Sequence, residues 1–176
     1  MKRVLLKLSG EALAGDKKTG FDEATCIKVA EQVKKLTEDG IQVAIVTGGG
    51  NFWRGRTSET IDRTKADQIG MLATVMNCIY VSDIFRYVGM KTEVFTPFVC
   101  GSFTSLFSKD AAVAALEEGK VIFFAGGTAY TVTFVPVKFP LIVSTILFSS
   151  FKPNTSIGIL FSRQRIDAVR STAASF

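Results

Sequence analysis

Residues 41–55 have the sequence Ile-Gln-Val-Ala-Ile-Val-Thr-Gly-Gly-Gly-Asn-Phe-Trp-Arg-Gly, and this stretch decides the fold. Its first seven residues are apolar and mostly β-branched, with polar side chains only at Gln42 and Thr47. That pattern predicts a strand buried on both faces, as parallel strands usually are. Three glycines, residues 48–50, follow at once and allow a closer backbone approach than a Cβ would permit. We therefore expect a buried strand that leads directly into a tight turn.

The glycine turn is suited to bind an anion. Without side chains in the way, successive backbone N–H groups can point at one anionic ligand. Arg54 lies four residues after Gly50 and carries a planar, forked cation that matches phosphate oxygens. The alternative is a solvent-facing turn beside a surface arginine, because short glycine motifs also occur by chance.

The composition is that of a globular protein. The chain has 176 residues, 47% hydrophobic and 21% charged, enough for one domain with a sizeable core, or one domain plus a tail. Residues 1–128 hold 16 basic and 15 acidic residues, whereas residues 129–176 hold 5 and 1. The excess positive charge thus lies in the tail. We expect no nucleic-acid partner, and a nucleic-acid-binding tail is the weakest alternative.

The absent and rare residues exclude several classes of function. No histidine is present, which argues against zinc hydrolysis and Ser-His-Asp chemistry. The three cysteines, Cys26, Cys78 and Cys100, are widely spaced and favour buried thiols in a reducing, cytoplasmic compartment. The N-terminus has too few consecutive apolar residues for a signal peptide. The apolar run at 139–148 is too short to span a bilayer. We therefore expect no membrane partner.

A strand, helix, strand unit surrounds the first glycines. Residues 4–8 are predicted as a strand, 22–39 as an amphipathic helix and 41–47 as the second strand. Such a unit is almost always a right-handed parallel crossover, so both strands end at one edge of the sheet, where open α/β sheets bind ligands. Lys7 at this edge is either a phosphate-binding ammonium or a solubilising strand end.

The rest of the body continues the α/β pattern. After a polar loop at 56–65, a long helix over 67–88 is apolar nearly all round, which predicts burial against more than one neighbour, such as a second subunit. Asp67 at its start is either an N-cap or an acceptor for sugar hydroxyls. Strands at 91–96 and 120–124 flank a helix at 109–118, and the second of them ends in Ala125-Gly-Gly-Thr128. We therefore predict an α/β fold with an open, mainly parallel sheet.

Four motifs of this sequence carry a resemblance to a known family. They are Lys7-Leu-Ser-Gly-Glu-Ala-Leu13, Gly48-Gly-Gly-Asn-Phe-Trp-Arg-Gly55, Ala66-Asp-Gln-Ile-Gly-Met-Leu-Ala-Thr-Val-Met-Asn77 and Ala125-Gly-Gly-Thr128. Together they resemble the amino acid kinase superfamily and, within it, the bacterial UMP kinases. The resemblance covers about residues 1–128 and implies a three-layer, carbamate kinase-like fold in the cytoplasm. It also implies transfer of the γ-phosphoryl of Mg-ATP to UMP, giving UDP in pyrimidine nucleotide biosynthesis.

The resemblance also implies residue roles. Lys7 and Arg54 would be catalytic, since they would neutralise charge on the moving phosphoryl group. Mg²⁺ would arrive with ATP, and no metal ligand of the protein is implied. One set of residues would hold UMP: Gly49, Asp67 (through the ribose) and Thr128. Another would line the ATP phosphates: Lys7, Leu8, Ser9, Gly10, Gly50 and Arg54.

After Thr128 the sequence departs from the family. The family would continue with Gly-Asn-Pro or Gly-His-Pro, two aromatics and a Thr-Asp pair, whereas this chain has Ala129-Tyr-Thr-Val-Thr-Phe-Val135. We therefore expect a truncated N-terminal UMP-binding part, residues 1–128, and a divergent or frame-shifted tail, residues 129–176. An exposed apolar tail and an unpaired sheet edge are the predicted consequences.

The departure leaves two functions open. One is UMP kinase, with the homohexamer and the GTP and UTP effectors that the resemblance implies. The other is a non-catalytic remnant that holds a nucleotide or phosphate without turnover.

Overall fold

A six-stranded parallel sheet runs through the computed structural model, which describes residues 2–54, 60–127 and 141–144. The strands are β1 (Lys2–Leu8), β2 (Ile41–Thr47), β3 (Thr92–Thr96), β4 (Ser105–Leu106), β5 (Val121–Phe124) and β6 (Leu141–Ser144). The order across the sheet is β4-β3-β5-β2-β1-β6, and every neighbouring pair is parallel.

Helices cover both faces of this sheet. Val33 of the second helix and Phe85 of the third belong to one buried cluster, and Leu116 of the fourth belongs to a second cluster. The predicted three-layer, open parallel α/β architecture is therefore confirmed. The helices are α1 (Gly10–Ala14), α2 (Glu23–Glu38), α3 (Arg63–Tyr87) and α4 (Lys109–Glu117), and a 3-10 turn (Gly15–Lys17) follows α1.

Strand β2 lies near the middle of the sheet and is buried on both sides. Val43 and Ile45 pack into the cluster beneath α2 and α3, whereas Ala44 packs into the cluster beneath α4. Successive side chains of a strand point to opposite faces, so an unbroken apolar run is what this position requires. The expectation drawn from residues 41–47 is confirmed.

Helix α3 begins at Arg63, four residues earlier than predicted. Its N-cap is Asp62, whose side chain accepts hydrogen bonds from the N–H groups of Thr64 at 2.9 Å and Lys65 at 3.2 Å. The first turn is polar on every side before Ala66, so it lacks the apolar period that signals a helix. Asp67 is thus not the cap.

Within the described ranges, α3 is also long and apolar enough to cross a membrane by length and composition alone.

Three elements were not predicted, α1, β4 and β6, and neither was the 3-10 turn after α1. Strand β6 pairs with β1 from Arg3 opposite Leu141 to Leu6 opposite Ser144, so the expected unpaired edge does not occur at β1. Backbone groups make this pairing, and Leu-Ile-Val-Ser is a sequence that strands accept readily. The other residues of the tail lie outside the described ranges, and the division at residue 128 remains a prediction.

Candidate functional site

Two glycine turns leave the sheet side by side. Leu8 and Thr47 are partners at the ends of β1 and β2, and the N–H of Gly48 donates to the carbonyl oxygen of Leu8 at 2.9 Å. We call residues 9–10 the first glycine turn and residues 48–51 the second glycine turn. A Cβ on Gly10 would lie 2.6 Å from the carbonyl oxygen of Gly48, so only glycine allows this approach.

A third glycine turn, residues 125–127, follows β5 on the other side of β2. The N–H of Gly126 donates to Oγ1 of Thr74 on α3 at 2.9 Å, and Gly126 has a φ of 74°, which favours glycine. Thr47 at the end of β2 donates from Oγ1 to the carbonyl oxygen of Thr74 at 3.3 Å. One position of α3 therefore links the ends of two strands.

Helix α3 also contacts the second glycine turn. A Cβ on Gly49 would lie 2.9 Å from Cβ of Ala73 and 3.1 Å from the carbonyl oxygen of Gly70, so the turn rests directly on the helix. Asp67 lies one helical turn before Gly70 and is half-exposed. Its carboxylate pairs with Arg63, Nε to Oδ1 at 3.2 Å. The helix therefore carries a carboxylate one turn away from the glycine backbone.

Two cations belong to the same edge. Lys7 is exposed near the end of β1, and within the described ranges no ion pair holds it. Arg54 forms an ion pair with Glu11 of α1, Nη2 to Oε1 at 2.7 Å, which bridges the segments that follow β1 and β2. Both partners are more than half exposed, so solvent screens the pair and it adds little stability.

The second glycine turn offers backbone donors. In residues 2–54, 60–127 and 141–144, no hydrogen bond uses the N–H of Gly49 or Gly50, and both residues are half-buried. The same residues contain no group of three Cys, Asp or Glu side chains that could hold a metal ion. Backbone N–H groups beside Lys7 and Arg54 suit the oxygens of a phosphate better than a bare cation.

The structure places most of the predicted site residues at this edge. Leu8 differs from the rest, because its side chain is buried in the core and its carbonyl oxygen already accepts the N–H of Gly48. Thr128 lies outside the described residues. The residues brought together at or beside the edge are Lys7, Ser9, Gly10, Gly49, Gly50, Arg54 and, on α3, Asp67.

Three polar side chains were missed as parts of the site. Glu11 lies in the first quoted motif, but nothing in the sequence indicated that it would pair with Arg54. Asn51 and Asn77 lie 26 residues apart and meet only because α3 folds against the second glycine turn. Trp53 also rests on α3, where its Cδ1 would lie 3.7 Å from a Cβ on Gly70.

Several known proteins are similar to this chain in sequence and in fold. Residues 2–138 match the amino acid kinase family. A uridylate kinase from Pediococcus pentosaceus is 45% identical over 129 residues, which cover 72% of this chain and 54% of that protein. The crystal structure of a UMP kinase from Bacillus anthracis matches with a TM-score of 0.68 and 34% identity, over 72% of this chain and 53% of that one.

A UMP kinase from Ureaplasma parvum has the same TM-score, 0.68, with 30% identity over 72% of this chain and 56% of its own. The chain therefore spans about half the length of the relatives that it matches.

Proposed function

This chain belongs to the amino acid kinase family, and from that premise we propose that it acts as a UMP kinase, transferring the γ-phosphoryl group of Mg-ATP to UMP. One observation carries the proposal. Three glycine turns at the carboxyl ends of β1, β2 and β5 lie against or beside α3, with Lys7 and Arg54 at the same edge. The relatives named above as uridylate and UMP kinases support UMP as the acceptor, and ATP as the donor comes from the resemblance.

On the ATP side, Lys7 and Arg54 supply positive charge and the glycine turns supply N–H donors. Lys7 acts as a mobile point charge, whereas the guanidinium of Arg54 can contact two phosphate oxygens at once. Phosphoryl transfer passes through a loose transition state, so fixing the reactants in line and neutralising the spread charge are the main requirements. Neither requirement needs a histidine.

On the UMP side, the N–H of Gly49 donates to the nucleotide and Asp67 accepts hydrogen bonds from the ribose hydroxyls. Asp67 suits this role because α3 holds it one turn from the backbone at Gly70, on which the second glycine turn rests. A carboxylate can accept hydrogen bonds from two hydroxyl groups. The ion pair with Arg63 helps to position the carboxylate of Asp67. Thr128 is the third proposed UMP-binding residue, and it is assigned from the resemblance alone.

Mg²⁺ enters with ATP in this proposal. Magnesium is usually held by phosphate oxygens, water and one or two carboxylates, and it supplies neutralising charge when bound. The described residues fit the phosphate part of that arrangement, because they gather cations and N–H donors and no cluster of three acidic or Cys side chains. Their task is therefore to hold and align the nucleotide.

We also propose that the chain forms a homo-oligomer and that it acts in the cytoplasm. The homo-oligomer is supported by an apolar stripe on the outer face of α3, where three side chains are 39–51% exposed: Leu72, Met76 and Ile79. Side chains at these spacings share one face of a helix, as contacts between helices require. The hexameric state and the GTP and UTP effectors remain predictions from the resemblance.

A nucleotide-binding protein without turnover is the second candidate. Its support is the stretch Ala129-Tyr-Thr-Val-Thr-Phe-Val135, which lacks the Gly-x-Pro, aromatic and Thr-Asp pattern that the resemblance implies after Thr128. The two candidates share the phosphate-binding edge and differ only in whether a phosphoryl group moves.

Release of ADP separates the two candidates. We expect release only when ATP and UMP are both present, a kcat about tenfold or more lower in Lys7→Ala, and a KM for UMP about tenfold higher in Asp67→Asn. Asp83→Asn is the matched control, because Asp83 is an exposed acid further along the same helix. Equal activity in all three variants would disprove the site assignment, and saturable UMP binding without ADP release would establish the second candidate.

A further inference from the structure

Two buried asparagines join the second glycine turn to the middle of α3. Asn51 is 2% exposed and Asn77 is fully buried. Their side chains form a reciprocal pair, in which Asn51 Nδ2 donates to Asn77 Oδ1 at 2.9 Å and Asn77 Nδ2 donates to Asn51 Oδ1 at 2.8 Å. Paired amides of this kind are costly to bury unless every hydrogen is used.

Two backbone carbonyl groups use the remaining hydrogens. Asn51 Nδ2 also donates to the carbonyl oxygen of Gly20 at 2.8 Å, and Asn77 Nδ2 also donates to the carbonyl oxygen of Gly48. A carbonyl oxygen can only accept, so both amides are fixed in one orientation. The network is closed, and a closed polar network in the interior holds its members in a single arrangement.

The contact with Gly48 has a direct consequence for Gly49. The peptide between them is planar and trans, so its C=O and N–H point in opposite directions. Because Asn77 Nδ2 donates to the carbonyl oxygen of Gly48, this C=O points towards Asn77 and the N–H of Gly49 points away from it. A peptide between two glycines has no side chain to resist rotation, so without this contact it could turn over.

We infer that Asn77 is a positioning residue of the nucleotide site. By holding the carbonyl oxygen of Gly48, it presents the N–H of Gly49 as a ready donor to the phosphate of a nucleoside monophosphate. Asn51 in turn holds Asn77 in the orientation that this requires. The orientation of the peptide rests on the geometry alone, whereas UMP as the ligand rests on the function proposed above.

The variant Asn77→Asp tests this inference with the smallest change of shape. It keeps an oxygen that accepts from Asn51, but it places a second oxygen against the carbonyl oxygen of Gly48, which repels it. Asn77→Leu removes the donor without adding charge and with little change of shape, and it replaces the first variant if that variant does not fold. The control is Val81→Ala, one turn further along α3, which leaves a cavity in the core.

Two measurements on the full chain are compared across these variants. The residual dipolar coupling of the Gly49 N–H, recorded without nucleotide, reports the orientation of that bond. Calorimetric titration with UMP reports affinity. We expect Asn77→Asp to change the coupling at Gly49 and to weaken UMP binding about tenfold or more. Val81→Ala is expected to lower the unfolding midpoint and leave both readouts unchanged.

The outcomes separate the inference from the proposed function. An unchanged coupling at Gly49 in the Asn77 variant overturns the inference, whether or not UMP binds. A changed coupling with UMP affinity within about twofold of the original chain overturns the positioning role. If the original chain binds no UMP, the proposed function fails and the coupling still decides the orientation of Gly49.

Discussion

Gly10 illustrates how one missing Cβ shapes the site. A Cβ there would lie 2.5 Å from Oδ1 of Asn51 and 2.6 Å from the carbonyl oxygen of Gly48. The first atom belongs to the closed asparagine pair and the second to the backbone, so neither can move aside cheaply. Glycine at this position therefore lets the first and second glycine turns touch.

Gly10→Ala should consequently disturb both stability and binding. We expect a loss of about 1–3 kcal/mol in the free energy of unfolding, as for overpacked interiors, together with weaker UMP binding. Urea unfolding and UMP titration measure the two effects. Gly119→Ala is the control, because its φ of 76° strains an alanine while nothing lies within 4 Å of the new Cβ. UMP affinity unaltered in Gly10→Ala would contradict the close approach of the two turns.

The cysteines provide a residue-level test of the core. Burial raises the pKa of Cys26 to about 11 and that of Cys78 to about 12, whereas Cys100 is only half-buried. Thiolates are the reactive form, so neither buried thiol should react near neutral pH. We expect Ellman's reagent to modify one of the three thiols in the native protein and all three in denaturant. Fast reaction of more than one native thiol would contradict the packing.

At the scale of elements, β3 and β5 are joined at their amino ends by a charged pair. Lys120 Nζ contacts Glu93 Oε2 at 2.9 Å, and Ser105 donates to Oε1 of Glu93 at 3.0 Å. Burial raises the pKa of Glu93, but the hydrogen bonds from Lys120 and Ser105 outweigh it and leave the pKa below its ordinary value of 4.5. The ionised form is therefore favoured by the fold.

This pair makes stability depend on pH in one direction. A carboxyl group with a lowered pKa in the folded state stabilises the protein above its unfolded pKa, and the contribution disappears as the pH falls through the folded value. We expect Glu93→Gln to cost about 1 kcal/mol at neutral pH and nearly nothing at acid pH, measured by urea unfolding. Glu31→Gln, at an exposed position of α2, is the control. A pH-independent difference would contradict this role.

The sequence was most informative where one strand or helix face decides the structure. The burial of β2 on both faces follows from its own unbroken apolar run. Helix α2 follows from its apolar face, and it lies between its N-cap Asp22 and its C-cap Asp39, which Gly40 follows. The first turn of α3 has no such pattern, because Arg63, Thr64 and Lys65 all face solvent. Short α1 is stabilised by its contacts with the rest of the fold, and local propensity gives little indication of it.

In the site as well, some contacts could be predicted from the sequence and others could not. The shared edge of β1, β2 and β5 follows from parallel crossovers, so Lys7, Gly48 and the turn at 125–127 could be expected together. The Asn51–Asn77 pair could not, because its two members meet only after α3 has packed on the sheet. Contacts between distant elements of this kind carry no local signal in one sequence.

For the whole molecule, the apolar stripe of α3 predicts self-association. Met76→Glu places a charge in the middle of the stripe formed by Leu72, Met76 and Ile79, so we expect a smaller mass in sedimentation than for the original chain. Gln68→Glu, at an exposed polar position of the same helix, should leave the mass unchanged. An unaltered mass in Met76→Glu would contradict a subunit contact on this face.

The central claim is that the edge formed by β1, β2 and β5 beside α3 binds UMP, as the proposed kinase function requires. The most direct test is calorimetric titration of the full chain with UMP, alongside Asp67→Asn and Asp83→Asn. We predict saturable binding at one site per chain, weakened about tenfold or more by Asp67→Asn and unchanged by Asp83→Asn. No binding by the original chain, or equal binding by all three proteins, would contradict the account.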